Sequence, residues 1–208
     1  MILCWSAKGG SGTTVVAAAL ALLSARHQPT TLVDLAGDAA VALGHVQPSG
    51  PGVFDWLASP TASADALARL GVDVGEQLRL LPPGHAAPDA LRWVALADIL
   101  AALPGCVIDA GTGAPPIELH ERATQSLLVI RPCFLALRRA VQLEVRPTGI
   151  VLINEPGRAL GARDVQHAIG APVVAELLID PAVARAVDAG LLASRLPRSL
   201  VQQLRAAA

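Results

Sequence analysis

Short apolar runs of strand length alternate with segments of helical period along almost the whole chain. The runs contain few polar positions, as expected for strands that are buried on both faces of a parallel sheet. With 208 residues, of which 53% are hydrophobic and 16% charged, the chain is long enough to build a large core. We therefore predict a single α/β domain over residues 1–208, with one doubly wound, mostly parallel sheet and helices on both faces.

The predicted elements follow from the places where the hydrophobic pattern changes between strand and helix periodicity, and from the turn residues that separate the elements. Apolar runs with glycine or proline at their ends indicate strands, and longer alanine- and leucine-rich segments indicate helices. The predicted strands are 2–5, 31–35, 78–81, 106–109, 126–130, 149–153 and 173–178, and the main predicted helices are 14–26, 53–59, 64–70 and 89–103.

A glycine-rich segment, SAKGGSGTT, lies at residues 6–14, between the first predicted strand and the first predicted helix. At such a junction the backbone N–H groups and the positive end of the helix dipole converge on one point, which is an arrangement that binds phosphate. Gly9, Gly10 and Gly12 would let the backbone approach a phosphate closely, and the Thr14 hydroxyl could bind Mg²⁺. The segment therefore predicts a nucleotide site in a P-loop NTPase fold.

The loop departs from the pattern G-x-x-x-x-G-K-[ST] at two positions, because Ala7 replaces the first glycine and Thr13 replaces the lysine. A glycine-rich turn without a ligand is the alternative. Lys8 favours a phosphate site, since it is the single lysine among sixteen basic side chains and it lies inside the loop.

The stretch AKGGSGTT resembles the deviant Walker A loop K-G-G-x-G-K-[ST] of the ParA/MinD ATPases. In that family the lysine before the two glycines reaches across a dimer to the partner's phosphates. Lys8 matches this lysine, and Thr13 takes the place of the second one. Retention of the first lysine with loss of the second is similar to the TadZ/CpaE branch, which positions the Flp/Tad pilus machinery. The resemblance runs over nearly the whole chain and implies a degenerate ATP site.

Three other segments carry the same resemblance. In LVDLAGDAAVALG, Asp34 matches the first acidic residue of the family's D-x-D pair, whose second place is Ala36 here. CVIDAGTG is similar to a Walker B strand, with Asp109 placed to hold Mg²⁺ through water. GIVLINEP has Asn154 where the family reads adenine. Outside the resemblance, each of these residues could be an ordinary turn residue.

The resemblance implies ATP or ADP with Mg²⁺ as the cofactor. Lys8 and Asp34 are the candidate catalytic residues, and the absent lysine and the absent second carboxylate weaken both roles. The nucleotide-binding candidates are Lys8, Gly9, Gly10, Ser11, Gly12, Thr13, Thr14 and Asn154, and the candidates for holding magnesium, directly or through water, are Thr14, Asp34 and Asp109.

We expect a homodimeric scaffold or localisation protein with little or no ATP hydrolysis, serving Flp/Tad pilus assembly. Loss of the lysine and of the carboxylate both act against hydrolysis, whereas dimer contacts can survive them. Its partners would be pilus or secretion proteins, such as a secretion ATPase, or a polar-positioning protein. The alternatives are a slow but active ATPase of plasmid partition or division-site placement, a nucleotide-free pseudo-ATPase, and a small-molecule kinase or synthetase, for which no separate substrate motif is visible.

Composition bears on location and on other partners. Residues 131–208 carry ten basic and six acidic side chains, against six and eleven in residues 1–130, so the C-terminal part could contact nucleic acid, an anionic membrane or an acidic partner. Only 2% of residues are aromatic, which argues against base stacking.

Cys4, Cys106 and Cys133 lie in apolar runs and predict buried thiols in a reducing compartment. With no transmembrane run and no signal-peptide pattern, we expect a cytoplasmic protein, recruited at most peripherally to the membrane or a cell pole.

Overall fold

The computed structural model describes residues 1–87, 92–205 and 207, and these residues form one eight-stranded sheet. The strands are β1 (Ile2–Ser6), β2 (Thr30–Asp34), β3 (Val72–Gly75), β4 (Leu78–Leu81), β5 (Gly105–Thr112), β6 (Gln125–Ile130), β7 (Gly149–Asn154) and β8 (Val173–Leu178). Their order is β3-β4-β2-β5-β1-β6-β7-β8, and every neighbouring pair is parallel except β3 with β4. The predicted α/β class with a mostly parallel sheet is confirmed.

Helices cover both faces of this sheet. Successive residues of β1 alternate between two hydrophobic clusters, with Leu3 and Trp5 in one and Cys4 in the other. The helices are α1 (Thr13–Ser24), α2 (Ala39–Leu43), α3 (Val53–Ala58), α4 (Ala64–Arg69), α5 (Trp93–Ala101), α6 (Ile117–Arg122), α7 (Phe134–Gln142), α8 (Ala162–Ile169), α9 (Pro181–Asp188) and α10 (Arg198–Leu204). Residues of α1 pack in the cluster of Cys4, and residues of α5 pack in the cluster of Leu3.

The elements that were not predicted include β3 and α2, besides the helices α9 and α10 that follow the last strand. The strand β3 is an antiparallel edge strand in which only Val74 is buried, so its sequence shows too little alternation to stand out. The helix α2 has five residues, fewer than two turns. The first residues of the predicted helix 89–103 lie outside the described residues, and α5 begins at Trp93.

The cysteines differ in their surroundings. Cys4 and Cys106 are buried, and desolvation raises the pKa of the Cys106 thiol to about 12. Cys133 was expected to be a buried thiol, but it precedes the first residue of α7 and is only half-buried. This correction follows from the sheet ending at Ile130, after which the chain turns into a helix.

The carboxyl ends of β2, β5 and β1 lie side by side, because these strands are parallel neighbours. The glycine-rich loop follows β1, and Asp34 and Asp109 lie on the other two strands. Ligands of open α/β sheets bind at this edge of the sheet. In the described part of the chain, no helix combines the length and apolar composition that a membrane span requires.

Candidate nucleotide-binding site

The glycine-rich loop has a backbone conformation that requires glycine. Gly10 and Gly12 have φ values of +75° and +88°, and a Cβ atom at either position would meet nothing within 4 Å. The Ser11 hydroxyl donates a hydrogen bond to the carbonyl of Lys8 over 2.6 Å, which closes the loop on itself. The glycines therefore allow the backbone to turn, and the space beside them is open.

The start of α1 offers backbone donors to this space. Gly12 precedes the helix without a side-chain cap, and the Val16 N–H donates to the Gly12 carbonyl over 3.0 Å. Among the described residues, no backbone carbonyl accepts a hydrogen bond from the N–H groups of Thr13, Thr14 or Val15. Unpaired N–H groups at the beginning of a helix, together with the helix dipole, bind anions.

A cavity of about 560 Å³ lies over the loop, and we call it the phosphate cavity. The glycine-rich loop, the start of α1 and the loops after β2 and β5 form its walls. The lining residues are Ser6, Gly9, Gly10, Ser11, Gly12, Thr13, Thr14, Val15, Leu35, Ala36, Asp38, Ala110, Gly111 and Thr112.

The two positions that distinguish this loop lie differently with respect to the cavity. Thr13, which stands where a lysine is usual, lines the phosphate cavity and is 7% exposed. Lys8, the single lysine of the chain, is half-buried and does not line it. The cavity wall of one chain therefore contains backbone donors and hydroxyl groups but no lysine.

A second cavity, of about 240 Å³, adjoins the first and shares Ser11, Gly12 and Val15 with it. Its other walls are mainly apolar and come from the ends of β7 and β8 and from α9. Asn154 is the last residue of β7 and lies opposite Leu178 in the sheet. The neighbouring Ile153 and Leu178 line this second cavity, whereas Asn154 does not. Its carbonyl accepts a hydrogen bond from the Ile179 N–H over 3.2 Å.

Asp34 is fully buried at the end of β2, and both of its carboxylate oxygens are engaged. Oδ1 accepts hydrogen bonds from the N–H groups of Ala36 (3.0 Å) and Gly37 (2.6 Å). Oδ2 accepts one from the N–H of Ala39 at 2.9 Å. Burial raises the pKa of Asp34 above its usual range, although these three N–H groups act in the opposite direction. The carboxylate thus fixes the loop that leads from β2 into α2.

Asp109, in β5, is equally buried but less well satisfied. Its Oδ1 accepts a hydrogen bond from the Gly111 N–H over 3.0 Å, while Oδ2 has no hydrogen-bond partner. Burial raises the pKa of Asp109 to about 6, and the Thr14 side chain and the Gly111 N–H oppose this shift. A buried carboxylate oxygen without a partner, beside a threonine hydroxyl, is an acceptor for a water molecule or a hydrated cation.

These residues fit a magnesium ion that arrives with a nucleotide. No group of three His, Cys, Asp or Glu side chains that could hold a metal ion occurs within residues 1–87, 92–205 and 207. Magnesium does not need such a group, since it commonly uses one or two protein oxygens, several waters and the substrate's phosphates. Thr14 and Asp109 would hold it here, while the oxygens of Asp34 are already used by backbone N–H groups.

Similarity to known proteins is found at the level of structure. No protein-family model and no curated protein matches this sequence. A ParA family ATPase from Chlorobium tepidum TLS matches with a TM-score of 0.79 and 20% identity, over 98% of this chain and 94% of that one. The septum site-determining protein MinD from Pyrococcus horikoshii OT3, complexed with Mg-ADP, matches with a TM-score of 0.74 and 19% identity, over 97% and 91%.

A chain of the MinC:MinD cell division protein complex from Aquifex aeolicus matches with a TM-score of 0.71 and 18% identity, over 91% of this chain and 85% of that one. At such identities the similarity establishes the fold. It is the fold of the ParA and MinD ATPases.

Proposed function

We propose that this chain, which has the fold of the ParA/MinD ATPases, is a nucleotide-binding member of that family that acts as a dimeric scaffold and hydrolyses ATP slowly or not at all. We take residues 1–208 as one domain of this kind. The observation that carries the proposal is the composition of the phosphate cavity. Its backbone has the glycine conformations and N–H donors that a phosphate needs, but Thr13 lines it where a lysine would be expected.

Phosphate contacts in this site come from the backbone of the glycine-rich loop and from hydroxyl groups. A charge-assisted hydrogen bond contributes about 1.5–3 kcal/mol, so its absence weakens nucleotide affinity roughly ten- to hundredfold. A bound magnesium ion would neutralise part of the phosphate charge. Thr14 and Asp109 would orient it, and the second cavity, with its apolar walls, is the place for the base.

Hydrolysis needs a group that orients the attacking water, and the loop after β2 offers little. Ala36 has no carboxylate, and both oxygens of Asp34 accept hydrogen bonds from backbone N–H groups. We infer that Asp34 positions the loop, and that any direct catalytic role for it is weak. Lys8 would act on the phosphates of a partner subunit, as its resemblance to the first lysine of the deviant Walker A loop implies, and it does not line the cavity of its own chain.

The proposed biological role is in Flp/Tad pilus assembly, with a secretion ATPase, another assembly protein or a polar-positioning protein as partner. The retained Lys8 together with Thr13 is what favours this role over plasmid partition. The MinC:MinD complex is an example of a protein of this fold bound to a different protein. A homodimer through the face that carries Lys8 would present such a partner with two copies of the same surface.

Isothermal titration calorimetry with Mg-ATP and Mg-ADP, read beside the mass from light scattering, tests the proposal. We expect binding with Kd weaker than about 1 µM and a dimer in the presence of nucleotide. Lys8→Gln should weaken the dimer. The matched control is Arg26→Gln, which also removes one cation but from the exposed turn after α1.

The other outcomes would each favour a different function. A monomer at all concentrations contradicts the scaffold. A dimer without any nucleotide heat indicates a nucleotide-free interaction module. Rapid ATP turnover stimulated by DNA or by lipid vesicles indicates an active partition or division ATPase.

A further inference from the structure

The phosphate cavity has an acidic wall. None of the residues that line it is a lysine, an arginine or a histidine, and one of them, Asp38, is acidic. Asp38 is exposed at the N-terminal end of α2, where its side chain makes no capping hydrogen bond. Its carboxylate is therefore available to whatever occupies the cavity.

Asp38 also lies close to the two buried carboxylates at this edge of the sheet. Burial is the main cause of the raised pKa of Asp34 and of Asp109, and the negative charge of Asp38 adds to the shift in both. The three carboxyl groups are thus close enough to affect one another electrostatically. Among the residues that line the phosphate cavity, Asp38 carries the one formal charge, and it is negative.

The loop from Asp34 to Asp38 explains how this carboxylate reaches the cavity. Ala36 faces the loop after β5 so closely that a Cβ atom on Gly111 would lie 3.2 Å from the Cβ of Ala36. Gly37 follows with φ of +97°, and Asp38 comes next on the same wall. A carboxylate is thus present on this wall although position 36 does not supply one.

We propose that Asp38 makes the phosphate cavity select the magnesium complex of a nucleotide over the metal-free nucleotide. This inference rests on the proposed function and specifies the form of the ligand. Metal-free ATP or ADP carries several negative charges into a cavity whose lining has a carboxylate and no cation, and is repelled. In the magnesium complex, a water of the ion can donate a hydrogen bond to the Asp38 carboxylate, so the same charge becomes favourable.

The test is a measurement of affinity, made by calorimetry with ATP and ADP in excess magnesium chloride and again in EDTA. The variant is Asp38→Asn, which keeps the size of the side chain and suits the first position before a helix. Its control is Asp65→Asn, which removes an exposed carboxylate from the first turn of α4. Thermal unfolding of each variant checks that it is folded.

For Asp38→Asn we expect metal-free nucleotide to bind about three- to tenfold more tightly and the magnesium complex about three- to tenfold more weakly, as a single charge at this range can produce. The preference for the magnesium complex is the ratio of the dissociation constants without and with magnesium. In Asp38→Asn this ratio should be lower than in the wild type by roughly the product of the two changes. In Asp65→Asn it should equal the wild-type ratio. A purely structural role of Asp38 would shift both affinities in the same direction.

Equal shifts in the two conditions, or no shift, would overturn the inference while leaving nucleotide binding intact. If the wild type binds nucleotide in neither condition, the proposed function fails and this inference fails with it. The two failures are therefore distinguishable in one set of titrations.

Discussion

Asp34 and Asp109 occupy equivalent places in the fold and have opposite surroundings. They lie opposite each other in the parallel pairing of β2 with β5, and both are fully buried. Asp34 accepts three backbone hydrogen bonds with its two oxygens. Asp109 accepts one, and its Oδ2 has no partner.

The difference separates a carboxylate whose two oxygens both hold a loop from one that has an oxygen without a hydrogen-bond partner. A buried polar atom without a partner costs free energy, so a water molecule or a hydrated cation that reached Asp109 Oδ2 would be stabilised there. The fully satisfied carboxylate of Asp34 provides no such acceptor. Five predictions test this difference and the site around it.

The largest effect is expected for Asp34→Ala. The change leaves the partly buried N–H groups of Ala36 and Gly37 and the buried N–H of Ala39 without their acceptor. An unsatisfied buried donor costs about 1–3 kcal/mol, and a partly buried one costs less. We expect the free energy of unfolding, measured by urea denaturation at neutral pH, to fall by about 3–5 kcal/mol. A loss below about 1 kcal/mol would show that the loop does not depend on this carboxylate.

The effect of Asp109→Asn should have the opposite sign and should depend on pH. Because the folded-state pKa of Asp109 is raised from 3.8 to about 6, its contribution favours folding below pH 4 and is lost as the pH rises through 6. Relative to Asp109→Asn, the wild type should therefore lose about 2 kcal/mol of folding free energy between pH 4 and pH 6. Urea denaturation of both proteins from pH 4 to 7 measures the difference, and parallel profiles would contradict the assignment.

Thr13→Lys tests the lining of the phosphate cavity, which contains no lysine. A lysine at this lining position returns a cation to the phosphates, and we expect ATP to bind about ten- to hundredfold more tightly by calorimetry. Thr13→Met, of similar length but uncharged, is the control and should give no gain. Equal affinities for the two variants would mean that position 13 does not reach the phosphates.

Hydrolysis by Thr13→Lys should remain low, since Ala36 still supplies no carboxylate. The double variant Thr13→Lys with Ala36→Asp should raise turnover by more than the two single changes combined, because both groups act on one transition state. Purely additive effects would show that the two positions act independently.

The smallest effect concerns the contact between the loops that follow Asp34 and Asp109. Gly111→Ala places a methyl group 3.2 Å from the Cβ of Ala36 at a φ of +67°, whereas Gly10→Ala, at a φ of +75°, meets nothing within 4 Å. Both changes carry a backbone strain of about 1 kcal/mol, and Gly111→Ala should cost a few tenths of a kcal/mol more. Equal losses in urea denaturation would mean that the two loops can separate freely.

The sequence was sufficient to predict the sheet and the glycine-rich loop, because both depend on local patterns. The runs that became β1, β5 and β7 are apolar on both sides, and Gly10 and Gly12 lie where a strand meets a helix. The short edge strand β3 and the five-residue helix α2 have no such pattern and form because neighbouring elements pair with them or cover them.

The environment of the site residues could not be predicted from their identities. Asp34 and Asp109 look alike in sequence, and only the fold around them decides how many backbone N–H groups reach each one. Asp38 was not predicted as a site residue, since nothing in the sequence indicates that a residue four positions beyond Asp34 lines the cavity. The roles of Lys8, Asn154 and the other predicted site residues stay predictions.

The helix α9 forms part of the wall of the second cavity through Val183, Ala184 and Val187, and none of its residues is buried. Contacts with other parts of the chain hold both ends of α9 in place. Asp180 accepts hydrogen bonds from Ser199 and Ala182, and Gly190 packs against Gly44 with no room for a side chain. A segment with few buried contacts opens locally at a small fraction of the free energy of global unfolding. The wall that α9 contributes to the second cavity can therefore open without unfolding of the sheet.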